Sequence, residues 1–128
     1  LQDASEVVAV PELCSVPLTH HWYRGIANVR GSLYSVVDLS LFMGNEPTML
    51  SASSRLLLVN GRFISNSALL VSRMLGLRNL DQFQAEQSAE PHLPWQSGSY
   101  RDGDGKLWKT LDMAALAANP QFLQVATI

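Results

Sequence analysis

The residues in this chain able to do chemistry are few. They are the pair His20-His21 with the distant His92, the single Cys14, the carboxylates of Glu6 and Asp38, the run Asp102-Gly-Asp104-Gly105-Lys106, and the serines around residues 51–54. Adjacent histidines on one element point apart, and His92 lies between Pro91 and Pro94, so no shared zinc ion is expected. The 102–106 run resembles the start of a calcium loop, but a lysine stands at the third liganding position and the glycine is misplaced. An Asp-Gly hairpin turn accounts for it better. Cys14 has no second cysteine to pair with and is expected to be a small buried hydrophobe. No phosphate loop and no Gly-x-Ser-x-Gly elbow is present, and no serine has the strand-to-helix context of a nucleophile. Glu6 and Asp38 are the acid–base candidates, yet each has a structural role available, as an ion-pair partner or a helix cap. No catalytic residue, metal or cofactor is therefore assigned. The chain does not read as an enzyme.

Composition narrows the partners. With 47% hydrophobic and only 16% charged residues, the 128-residue chain suits one globular domain with a real core. The net charge of −2, with seven arginines against two lysines, gives no electrostatic case for a nucleic acid or an anionic lipid surface. Trp22, Tyr23, Arg24, Arg30 and Tyr34 do form a limited version of the aromatic–cation platform with which small β-barrels bind single-stranded nucleic acid, and that is the alternative reading. No apolar run reaches the roughly 18 residues of a membrane span, and no basic-then-apolar signal peptide opens the chain. A cytoplasmic protein without direct membrane insertion is expected.

Strands must position these residues. Residues 1–10 read as a strand carrying Val7, Val8 and Val10, and Pro11 and Pro17 bracket an irregular connector. Thr19 is expected to cap a short helix over 20–24, stopped by Gly25. Strands follow over 26–29 and 33–39, joined by the turn Arg30-Gly31-Ser32, with Asp38 capping a helix over 39–43 that Gly44 ends. Residues 45–54 read as a mobile polar loop. The strand over 55–59 leads through Asn60-Gly61, a two-residue hairpin signal, into an apolar strand that starts at Phe63 and runs to Leu77. Residues 81–94 form a connector before a hairpin over 95–111, and Asp112 caps a helix over 113–118. Phe122, Leu123 and Val125 make a closing apolar patch. The sum is a mainly-β barrel pattern.

Val16-Pro17-Leu18, then Trp22-Tyr-Arg-Gly-Ile-Ala-Asn-Val-Arg-Gly31, then Val36-Val-Asp-Leu39 and Phe42-Met-Gly44, resembles the CheW-like coupling domain. The match is dense from Glu6 to Gly44 and stays colinear to Leu111-Asp-Met-Ala-Ala-Leu116. The wording of 22–31, the Tyr100 to Trp108 hairpin and the Asn119-Pro-Gln-Phe-Leu-Gln-Val125 tail are most similar to the branch of that family that controls type IV pili and twitching motility. The resemblance implies one CheW-like domain over 1–128, built as two intertwined five-stranded SH3-like barrels with short connecting helices and a C-terminal helix. It implies a non-catalytic adaptor joining the tip of a methyl-accepting chemotaxis receptor to the regulatory domain of a CheA-type histidine kinase, at membrane-associated receptor arrays. By the same resemblance Glu6, Ile26, Asn28, Arg30 and Gly31 face the receptor, with Glu6 and Arg30 paired, while Gly25 and Tyr23 face the kinase. The family's strand before Leu1 is absent, which leaves an exposed edge that would invite a strand-exchanged oligomer. Ser35 replaces the family's usual proline, and Ser65-Asn-Ser67 interrupts an expected apolar hairpin.

Overall fold

A computed structural model describes residues 4–76, 80–86 and 95–127. It confirms the mainly-β reading. The elements are β1 (Ala4–Ala9), β2 (Leu13–Cys14), β3 (Tyr23–Val29), β4 (Ser32–Asp38), α1 (Leu39–Phe42), β5 (Arg55–Val59) and β6 (Ser67–Val71). After a short 3-10 turn (Leu80–Gln82) come β7 (Gln84–Glu86), β8 (Gln96–Arg101), β9 (Leu107–Leu111), α2 (Met113–Ala118) and α3 (Pro120–Leu123). The chain divides into two units, Leu1–Met74 with Gln124–Ile128, and Leu75–Leu123.

The first unit is a six-stranded sheet in the order β1-β5-β6-β4-β3-β2, antiparallel except for the β4–β6 pair. Its two edge strands are consecutive in the chain, joined only by residues 10–12. Six strands laid flat would span about 24 Å, whereas a three-residue link reaches about 10–14 Å. The sheet is therefore rolled, and its edges approach each other. The interior holds Ala27 and Val29, Val36, Leu56 and Leu58, and Ala68 and Leu70, which are the alternate residues of β3 to β6. Val8, Val10 and Leu13 from the two edges pack against this cluster, as does Tyr34. The stretch 124–127 closes the unit: His20 donates its backbone N–H to the Val125 carbonyl (2.9 Å), and Thr127 donates to the Leu18 carbonyl (2.8 Å).

The second unit carries the antiparallel sheet β7-β8-β9. Asp112 caps α2 by accepting from the Ala115 N–H at 3.1 Å, and Met113, Leu116 and Ala117 bury one helical face. Asn119 in turn caps α3 through the N–H groups of Gln121 and Phe122. Among the described residues the strands divide six and three between the sheets, where the resemblance implied five and five.

Several local expectations are corrected. No helix covers 20–24: Thr19 bridges Ala126, and β3 begins at Tyr23, because aromatic and apolar residues paired across a sheet override a capping signal. Gly25 is consequently a strand residue. Cys14 is exposed, since β2 is a two-residue edge strand. Asn60-Gly61 does not make a two-residue hairpin. Leu58 pairs with Ala68, so residues 60–66 form a longer loop, in which the Asn60 carbonyl accepts from Phe63 N–H. The following strand ends at Val71, leaving Met74 44% and Leu75 40% exposed, while Leu77 lies outside the described residues. The 81–94 connector contributes β7, and its 87–94 portion, with His92, also lies outside them. Phe122 is buried but Leu123 points to solvent.

Residues 45–54 form a loop, as read from the sequence, and Asp38 ties it to the sheet. This carboxylate is fully buried at the end of β4. It accepts from Thr48 N–H (2.9 Å), Thr48 Oγ1 (2.7 Å), Leu41 N–H at the start of α1 (3.3 Å) and Arg24 Nη1 (3.0 Å). Arg24 also donates to the Thr48 carbonyl at 3.2 Å, and Ser40 donates to the Glu46 carbonyl at 2.6 Å. One buried charge thus holds a strand end, a helix start and a loop together. Asp38→Ala leaves the Thr48 N–H and hydroxyl without their acceptor and Arg24 with the Thr48 carbonyl but no counter-charge, and the expected loss of stability is about 3 kcal/mol. Urea unfolding should show it; a midpoint near that of the wild type would contradict this account.

Candidate docking site

The β3–β4 hairpin turns at Arg30 and Gly31, since Val29 pairs with Ser32. Both turn residues have positive φ, 51° and 88°, as a two-residue turn that matches the strand twist requires. The turn is braced by Asn28 Oδ1, which accepts from Gly31 N–H at 2.8 Å. Gly31 adopts this conformation freely. Arg30 does not, and a left-handed residue with a Cβ costs roughly 1–2 kcal/mol. Its guanidinium donates to the Glu6 carboxylate on β1, the pairing implied by the resemblance. The two side chains are 68% and 43% exposed, so the pair contributes only ~0–1 kcal/mol. The turn therefore holds an arginine at a net cost to the fold. Its use is outward.

A surface groove of 750 Å³ lies beside this turn. One wall is Pro11, Glu12, Leu13 and Cys14, and the other is Ile26 and Asn28 of β3 with Leu33 of β4. Leu33 is 58% exposed on this wall. The structure thus brings Ile26 and Asn28 together on one groove face and puts Arg30, Gly31 and Glu6 at the hairpin tip. Tyr23 and Gly25 are elsewhere. Tyr23 donates its hydroxyl hydrogen to Ser35 Oγ (3.1 Å), and Gly25 is buried under β2. A second groove of 740 Å³ lies between α1, the 45–51 loop and the end of β6, where Met49 is 83% and Leu50 53% exposed.

Sequence reasoning missed three contributors. Leu33 shares a strand face with Ser35 but also with the buried Val37, so alternation alone did not mark it as exposed. The β2 wall had no signal, because a two-residue strand has no periodicity to read. Arg24 pairs with Asp38 because β3 bulges between Tyr23 and Gly25, and nothing local announces a bulge.

The other chemical candidates resolve into structure. Asp102 Oδ1 accepts from the N–H groups of Asp104 and Lys106 (both 2.9 Å), and its Oδ2 accepts from Trp108 Nε1 (2.8 Å). Both oxygens are committed to the hairpin turn. Trp22 is buried, stacked on His20 at 5.2 Å and edge-on to Phe42 at 5.0 Å, so the aromatic–cation platform is dispersed. Among the described residues, no three His, Cys, Asp or Glu side chains are grouped to hold a metal ion, and no helix is long and apolar enough to cross a membrane.

The family model of the CheW-like domain matches residues 1–121. The chain belongs to the CheW-like family. Protein PilI of Pseudomonas aeruginosa is 28% identical over 129 residues, an alignment covering 97% of this chain and 70% of that protein. The crystal structure of the scaffolding protein TtCheW from Thermoanaerobacter tengcongensis superposes with a TM-score of 0.68 at 22% identity, covering 86% of this chain and 76% of the other. At that identity the likeness is one of fold. In this CheW-like domain an open groove lies beside a hairpin tip at which Arg30 has positive φ. Replacing Arg30 by Asn, which accepts positive φ readily, should relieve the strain and lose the ion pair together. The expected stability is within about 1 kcal/mol of wild type by chemical denaturation, and a larger loss would mean that the ion pair is structural.

Proposed function

We propose that this CheW-like protein is a non-catalytic coupling adaptor. It joins the tip of a methyl-accepting chemoreceptor to the regulatory domain of a CheA-type histidine kinase, in the cytoplasm at receptor arrays. The similarity to PilI favours a system that controls type IV pili and twitching motility. Family membership supports the adaptor class. The observation that carries the site is the exposed Arg30, kept in a left-handed turn beside an apolar groove.

The geometry suits a helical ligand. Side chains on one helix face repeat every turn and can lie in the groove between Leu13 and the Ile26–Leu33 face. Arg30 then meets acidic or carbonyl groups on the ligand, and Glu6 holds the guanidinium in one orientation while the site is empty. Such a preset cation improves specificity and register more than affinity.

Arg30→Glu places two carboxylates against each other at the hairpin tip and reverses the charge that the ligand meets. The variant should stay folded by circular dichroism and lose about tenfold or more in affinity for a soluble receptor-tip fragment. Leu33→Asp should weaken the same binding through the groove wall. Assembly of receptor and kinase at wild-type strength by both variants would refute the site.

A further inference from the structure

We infer that Gly25 is a positioning residue for the groove: its missing side chain lets the Cys14 carbonyl lie against β3, and this places the wall formed by residues 11–14. The inference rests on reading that groove as the receptor-tip site. Gly25 has φ +115°, and a Cβ built there would stand 2.1 Å from the Cys14 carbonyl oxygen, 2.7 Å from its carbon and 3.2 Å from Ser15 Cα. All three are backbone atoms, so no flexible side chain can yield; β2 itself has to move. β2 is weakly held against such a shift. It is the sheet's edge, and its ladder is two pairs long, Leu13 with Ala27 and Cys14 with Ile26. Cys14 and Ile26, one of those pairs, both line the groove. Gly25 is buried and does not line the groove. A side chain at Gly25 would therefore act on a ligand through the displaced wall.

The bulge in β3 makes this close approach possible. Tyr23 pairs with Val37 and Gly25 with Val36, so Arg24 is the extra residue. The bulge frees Arg24 to reach Asp38 and tilts the strand where β2 comes down on it. Only glycine satisfies both the positive φ and the contact.

The test compares wild type, Gly25→Ala and Leu33→Asp in two measurements. One is residue-resolved amide exchange, and the other is affinity for a soluble receptor-tip fragment. In Gly25→Ala the amides of the β2–β3 ladder should exchange about tenfold faster while those of β5 and β6 keep their protection, and affinity should fall by about tenfold. General destabilisation would instead raise exchange across the whole sheet. Unchanged β2–β3 protection would overturn the inference. So would lost protection with full affinity while Leu33→Asp binds poorly. If Leu33→Asp also binds at full strength, the receptor reading of the groove fails, and the exchange pattern still decides the role of Gly25. Should Gly25→Ala fail to fold, Val10→Ala, which does not line the groove, loosens the 11–14 wall from the core side with Gly25 intact. The same local exchange and weaker binding are then expected, and full affinity with a loosened β2 would overturn the inference.

Discussion

The buried carboxylate of Asp38 is the constraint around which the first unit is arranged. A charge with no solvent exposure is tolerated only when its oxygens are fully used, and here backbone, hydroxyl and guanidinium donors all converge on it. The four donors come from three separate parts of the chain, Arg24, Leu41 and Thr48, so satisfying the charge fixes where β4 ends, where α1 starts and how residues 45–54 run. The demand also reaches back into β3, because Arg24 meets Asp38 only where that strand bulges, and the bulge brings Gly25 beneath β2. The buried charge and the groove wall are thus linked through two adjacent residues.

The surface reverses the priority. Inside, polar groups are paired because leaving them unpaired costs too much. At the hairpin tip a residue is held in an unfavourable backbone conformation, and the ion pair it makes is too exposed to compensate. Asn-Gly would suit that turn better than Arg-Gly. Leu33 and Met49 add apolar area to solvent without serving the core. Departures of this kind concentrate where a protein meets something else.

Legibility from sequence follows interaction range. Asp38 as a cap, the turn at Arg30-Gly31, α2 behind Asp112 and the Glu6–Arg30 pair were all readable, the last through the family resemblance. Each of the first three depends on residues within a few positions of one another. The misread elements depend on distant ones. Tyr23 and Arg24 look helical beside Thr19 until β4 and residues 124–127 are placed against them. Asn60-Gly61 carries a hairpin signal, but the register of β6 against β5 is set by the buried Ala68 and Leu70, and this leaves the dipeptide in a longer loop. Cys14 looked like core because its strand is too short to show which way it faces.

The return of residues 124–127 to Leu18 and His20 has a consequence for biosynthesis. The whole second unit, Leu75–Leu123, lies in the chain between two parts of the first. During translation the six strands emerge first, and the segment that completes their unit follows only after the whole second unit. At about 5–20 residues per second the intervening stretch takes seconds to synthesise. Throughout that interval the backbone groups of Leu18 and His20 lack their native partners. The nascent chain therefore passes through an interval in which the six-stranded sheet can form while residues 18–20 still await residues 124–127, a state that chaperones would meet.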